Sequence, residues 1–353
     1  MRAYAPAFGE HVLRLSIVSS LFPHLAHRSR AAFRTGFAAL VVLIVVCALL
    51  RWQAALVAVS AAGFALLFVI FLEESDVYGD DDLPVGVMLL TASLGVALGV
   101  GWALWTGPIV ARSFYTFGDQ SAAGILLYGA AIPTGGAALM LVPALVVRVL
   151  RPRHLESLDG FLIGSLSAIS FTAAGTFTRL APQLTDGLVA SQQDVSSLLI
   201  EAGIQGVAVP VTAAATGGLV GAALWFTASV SPRQKPKAVA ALMLTVIVAF
   251  VAYATSGFID VAQPWPPLQV TLHLLIAAAA ILAVRIAVHL ALLHEAREEL
   301  SRAAILCAEC HHVVPDMAFC PNCGAATRAS SRSSRGARRL EPQPPTHPAA
   351  EDV

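Results

Sequence analysis

The chain has 353 residues, of which 57% are hydrophobic and only 12% charged, and its mean hydropathy is +0.74. A soluble domain carries about a quarter charged residues, so the composition excludes an ordinary water-soluble fold and predicts a protein that crosses a bilayer several times. The formal net charge is zero and the pI about 7.1, but the basic residues cluster in particular loops, and arginine outnumbers lysine by 20 to 2.

Residues 1–32 form a basic segment with Arg2, Arg14, Arg28 and Arg30 against a single acid, Glu10. They are not a cleavable signal, because the first long apolar run starts too late and no A-x-A site follows the weak run Leu15–Phe22. That run reads equally well as a surface-lying amphipathic helix ended by Pro23 or as a partly ordered basic tail.

A membrane domain over 33–300 follows, with spans expected near 33–50, 54–72, 83–105, 122–147, 161–177, 203–226, 238–257 and 268–292. The first two are separated by Arg51-Trp52-Gln53, a charge and an interfacial aromatic. An acidic loop comes next, with Glu73, Glu74, Asp76 and Asp80 to Asp82. The third span carries Gly95 and Gly99 one helical turn apart, a pattern that lets helices approach closely in lipid. The fourth contains Pro133 and Pro143 and is expected to kink. The fifth is entered through Ser157-Leu158-Asp159, with Ser157 as the expected cap. Residues 178–200 read as a polar connection, and the sixth span holds Pro210 with Gly217 and Gly221. The eighth continues as helix toward Leu300.

Charge placement orients these spans. With the N-terminus inside, the inner segments before the C-terminal tail hold 11 lysines and arginines, whereas the outer loops hold three, Arg51, Arg112 and Arg179. The positive-inside rule therefore predicts an even number of spans in the inner (plasma) membrane with both termini cytoplasmic.

Past the last span, Cys307-x-x-Cys310 and Cys320-x-x-Cys323 form two C-x2-C knuckles. That spacing lets four thiolates surround one Zn2+ tetrahedrally. A reduced site fits a cytoplasmic C-terminus, and C-x2-C pairs with Pro321 and Gly324 in the second knuckle favour metal over disulfides. Four cysteines close the shell, so the zinc is expected to be structural, with no catalytic or other cofactor-binding residues assigned. A ribbon over 301–326 is too small to bury a core of its own, and metal binding would supply the missing stability. His311 and His312 are expected beside the site, and Arg302 and Arg328 to offset its negative charge. Residues 327–353, rich in Arg, Ser and Pro, are expected to be disordered.

Ionisable residues on the spans are weaker signals. Arg285 and His289 share one face of the eighth helix near its cytoplasmic end, where arginine can reach the headgroups. Glu201 and His273 fall near outer ends and are expected to be wet. Cys47 reads as a small buried hydrophobe.

Glu73-Glu74 after a span, together with Asp159-Gly160-Phe161-x-x-Gly164 and Phe171, resembles the PrsW-type intramembrane protease family, which carries EExxK, FxxxE and HxxxD motifs on membrane helices. The resemblance implies a membrane-embedded protease using Glu73 and Glu74. Val77 stands where the first motif has Lys, Gly175 where the second has Glu, and Val207–Gly221 contains neither His nor Asp. The whole chain also resembles a class of bacterial multi-span membrane proteins that end in a zinc ribbon. The expected molecule is thus an all-α integral membrane helix bundle of about eight spans with a small C-terminal zinc ribbon. It is expected to be non-catalytic, its partners being the lipid bilayer and, through the ribbon, a cytoplasmic protein or a second copy, with no nucleic acid. Alternatives are a divergent protease and a transporter or channel, the last suggested by the interrupted fourth and sixth spans.

Overall fold

The computed structural model of the chain describes residues 27–74, 84–115, 122–150, 156–186, 194–226, 235–262, 264–295, 304–307, 312–315, 320 and 338. They form ten α-helices and a two-stranded sheet: α1 His27–Leu49, α2 Gln53–Glu74, α3 Val85–Tyr115, α4 Ala122–Leu126, α5 Ile132–Val149, α6 Ser157–Asp186, α7 Val195–Glu201, α8 Val209–Trp225, α9 Lys235–Ala262, α10 Pro266–Glu295, β1 Ala304–Leu306 and β2 Val313–Pro315. Leu127–Ala131 and Ala202–Ala208 are π-helical turns that join α4 to α5 and α7 to α8 without a break. Among the described residues six helical segments are long and apolar enough to cross a bilayer: Val85–Val110, Ala122–Val149, Ser157–Pro182, Val195–Trp225, Leu242–Ala262 and Pro266–Val288. Arg34–Leu49 and Gln53–Gly63 are shorter apolar stretches. The chain is a multi-span membrane protein built as an all-helical bundle.

Several expected boundaries move. The third span runs on to Tyr115 through Pro108, and the fifth from Ser157 through Pro182 to Asp186. Most of the expected connection 178–200 is therefore helix, since α7 starts at Val195. Ser157 is the first residue of α6 rather than its cap. Glu156 takes the cap position, and the Asp159 carboxylate accepts the Glu156 backbone N–H at 3.2 Å, the return half of a capping box. Asp159→Ala is expected to lower the thermal stability of the bundle by about 1 kcal/mol, measured as a shift in melting temperature in detergent.

The α1–α2 turn closes as a Schellman motif. Arg51 N–H bonds to Ala48 O at 3.1 Å and Trp52 N–H to Cys47 O at 2.9 Å. Arg51 occupies the left-handed position with φ of 57°, where glycine is usual. The two helices run antiparallel from that turn, so that Leu40 packs over Gly63.

Close contacts set the direction of the helices up to α9. Gly160 lies against Gly221 and Gly164 against Gly217, so α6 and α8 are antiparallel. A methyl on any of the four would overlap a backbone carbonyl of the partner helix, which is why glycine is required there. Gly95 lies against Ser167 and Ser170, and Gly99 against Phe171, so α3 and α6 run parallel. Gln53 bonds to Glu201, and Ser60 packs on Gly206, so α2 runs with the α7–α8 segment. Gly129 meets Phe258, and the cluster of Ala137 and Met140 includes Tyr253 and Phe250, so the α4–α5 segment and α9 are antiparallel. Each direction agrees with a chain that traverses the bundle alternately up and down. The windows of α6 and of α7–α8 are 78% and 67% buried, against a third or less elsewhere, so these two segments form the centre.

The central part is built twice. Val85–Val149 and Ser157–Trp225 each contain a long helix with a proline near its end, a short helix, a π turn, and a helix whose second residue is proline, Pro133 or Pro210. With Val85 matched to Ser157, Ser93 falls on Ser165 and Thr106 on Thr178. Thr106 and Thr178 both bond back to the carbonyl four residues earlier, of Trp102 and Ala174. In this register Gly95 corresponds to Ser167 and Gly99 to Phe171, the residues they touch across α3 and α6. Equivalent residues meeting on parallel helices are the signature of an approximate two-fold axis along the helices. The halves differ in packing: the Trp102 ring sits over Gly135 and Gly136 and spaces α3 from α5, whereas α6 and α8 touch backbone to backbone.

A π turn precedes both Pro133 and Pro210. Proline has no N–H to offer the carbonyl four residues earlier, here Gly129, and the extra residue of a π turn absorbs the mismatch. Gly257 of α9 packs directly over the freed Gly129 and Tyr128 carbonyls.

Candidate metal centre and polar contacts

β1 and β2 pair antiparallel with Ile305 opposite Val314, and both side chains are buried. The register runs from Ala304–Pro315 to Leu306–Val313, which brings Cys307 and His312 together at the turn. Cys307 N–H donates to His312 O at 2.9 Å. Cys307 and Cys320 are both buried, neither is in a disulfide, and they share one cluster with Ile305 and Val314. Two thiols, Cys307 next to β1 and Cys320 beyond β2, thus meet in one small apolar cluster.

Cys310 and Cys323 lie outside the described residues, as do His311, Arg302 and Arg328. Among the described residues no group of three or more His, Cys, Asp or Glu is placed to hold a metal. His312 takes part through its backbone carbonyl. Arg338 Nη1 donates to Leu306 O at 3.3 Å. That contact belongs to the tail expected to be wholly disordered, and sequence spacing offered no hint of it.

In the bundle, the buried hydroxyls are spent on backbone. Ser167 donates to Met140 O and Ser165 to Ala214 O, tying α6 to α5 and α8. Thr172, Thr212 and Thr216 bond to carbonyls within their own helices. Glu201, expected to be wet, is half-buried and accepts from Gln53. His273, also expected to be wet, is 3% exposed, and its Nε2 lies 3.0 Å from Asp260 Oδ1. Gln269 Nε2 donates to the same oxygen at 3.0 Å. The short α9–α10 turn places Asp260 opposite Gln269 and His273, and that turn was the signal available in the sequence. Asp260→Ala strands the buried imidazole and is expected to cost about 1–3 kcal/mol, read as a lowered melting temperature of the full chain.

Glu73 and Glu74 end α2, and Arg285 and His289 lie on α10, but their side chains are outside the described set, as is Asp76 altogether. Cys47 is buried beside Leu56 and Leu198, as expected of a small hydrophobe.

No protein-family model, no curated protein and no solved structure matches the chain. The likeness to PrsW-type proteases therefore rests on its few motif residues alone.

Proposed function

We propose that the protein is a non-catalytic inner-membrane anchor that crosses the bilayer eight times, with both termini in the cytoplasm. In this reading it displays a structural zinc ribbon as a rigid contact surface for a cytoplasmic protein or a second copy of itself. The observation that carries the reading is the joint burial of Cys307 and Cys320 against Ile305 and Val314. Zn2+ held by Cys307, Cys310, Cys320 and Cys323 would have no open coordination position, which suits a scaffold rather than a reaction.

Two observations support eight crossings. α2 runs level with the α7–α8 span, from the Gln53–Glu201 bond to the Ser60–Gly206 contact. α1 returns alongside it from Arg51 to Leu40 and beyond. The excess of basic residues in 1–34, 148–158 and 229–237 supports a cytoplasmic placement of that end. The backbone contact of α6 with α8 leaves no space for a solute between the two central segments, which weighs against a transport path there.

The test is a cross-linked pull-down from membranes using the intact chain and a Cys320→Ser, Cys323→Ser variant. A defined protein, or the chain itself, captured only by the intact form supports the reading. Identical captures, or cleavage of a membrane substrate that Glu73→Ala with Glu74→Ala abolishes, would replace it with the protease alternative or with an inert tail.

A further inference from the structure

α5 and α8 finish at the same end of the bundle, and an arginine joins them. Arg148 stands in the last turn of α5. Its Nε donates to the Leu224 carbonyl at 3.0 Å, and its Cζ lies 5.6 Å from the centre of the Trp225 ring. These contacts fix both the position and the plane of the guanidinium. They use one of its five N–H donors. Among the described residues no carboxylate pairs with Arg148, so the two Nη groups remain for another acceptor.

Trp225 adds an independent observation. It is fully buried, and its indole Nε1–H has no hydrogen-bond partner among the described residues. A buried donor left unmade is uncommon, and no described residue supplies its acceptor. Val149 and Leu150, next after Arg148, are 78% and 65% exposed, as befits side chains that meet acyl chains. Arg148 is the one charged residue of α5 and stands in its last turn, the place where a span leaving hydrocarbon meets headgroups.

We propose that Arg148 and Trp225 form a binding site for a phosphate group at headgroup depth, the guanidinium giving its Nη fork and the indole its N–H. A planar fork matches two phosphate oxygens, and basic sites between transmembrane helices at this depth take anionic headgroups. At this depth the phosphate at hand is the phosphodiester of a phospholipid, which is the ligand we assign.

The experiment uses the full chain, delipidated in detergent and reloaded from phosphatidylglycerol vesicles, with retained lipid counted by native mass spectrometry. Arg148→Gln is expected to cut retention about tenfold. Trp225→Phe keeps a ring under the guanidinium and removes only the N–H, and is expected to cut retention about threefold. Should Arg148→Gln not fold, Arg148→Lys keeps the charge without the fork and is expected to lose retention as well. Undiminished retention in a folded Arg148→Gln, or equal retention by Lys and Arg, overturns the site. Competition by phosphatidylglycerol but not by inorganic phosphate supports the lipid. Competition by inorganic phosphate alone overturns the lipid assignment.

Discussion

Replacing Gly164 with leucine is expected to abolish the folded bundle. The first side-chain carbon would overlap the Gly217 carbonyl and come within 3.2 Å of the Gly221 Cα. Overpacking usually costs about 1–3 kcal/mol when side chains can move aside. Here the atoms struck are backbone, on the most buried helix pair of the molecule. The helices would have to part, and Gly160 with Gly221 would part with them. The Ser165 bond to Ala214 O, which needs the same close approach, would go too. The measurement is the fraction of monodisperse protein surviving heat treatment in detergent. Gly101→Ala is the matched control. Nothing lies within 4 Å of its added carbon, so it should be neutral or gain about 0.5–1 kcal/mol from helix propensity. Equal stability of the Gly164 variant and the control would mean that the close approach of α6 to α8 at Gly164 carries no stability.

Removing metal is expected to unfold the hairpin while leaving the bundle intact. The cluster that would surround the site contains Ile305, Val314, Cys307 and Cys320 and no residue of the helices. Three residues per strand and one buried apolar pair cannot hold a fold in water. Structural zinc contributes about 10–16 kcal/mol in comparable small domains, far more than any other contact available to these residues. A strong chelator, or Cys320→Ser, should therefore remove the amide-exchange protection of Ile305 and Val314. The melting temperature of the helices should stay within error. The thiols must ionise to bind, so zinc retention should fall as pH falls. Purified protein lacking zinc, with Ile305 and Val314 equally protected with and without chelator, would refute the metal site. Arg338→Ala loses the hydrogen bond to Leu306 O and should weaken zinc retention.

The places where sequence reasoning and structure part company have a common cause. In lipid every apolar face is equally at home, so hydropathy reports which segments cross but not which faces touch. Span ends were blurred for the same reason. The spans expected near 83–105 and 161–177 run on through Pro108 and Pro182, which both sit inside long helices. Ser157 looked like a cap because its side chain is the usual one, but the chain enters α6 one residue earlier and Asp159 supplies the bond. The candidate metal ligands were legible as two thiol pairs, and the structure adds that Cys307 and Cys320 are buried together.

Sequence alone determined the membrane-spanning character of the chain, through too little charge and long apolar runs. It also determined the alternation of the helices, through polar breaks such as Arg51-Trp52-Gln53, and the candidate metal ligands, through thiol spacing. Only the tertiary structure decided that α6 and α8 lie at the centre, that Gly95 and Gly99 face their own counterparts in a repeated hairpin, and that His273 finds Asp260 while Arg148 finds Trp225. Periodicity along one segment carries no information about the surface of another, and partners of this kind exist only once the helices have packed.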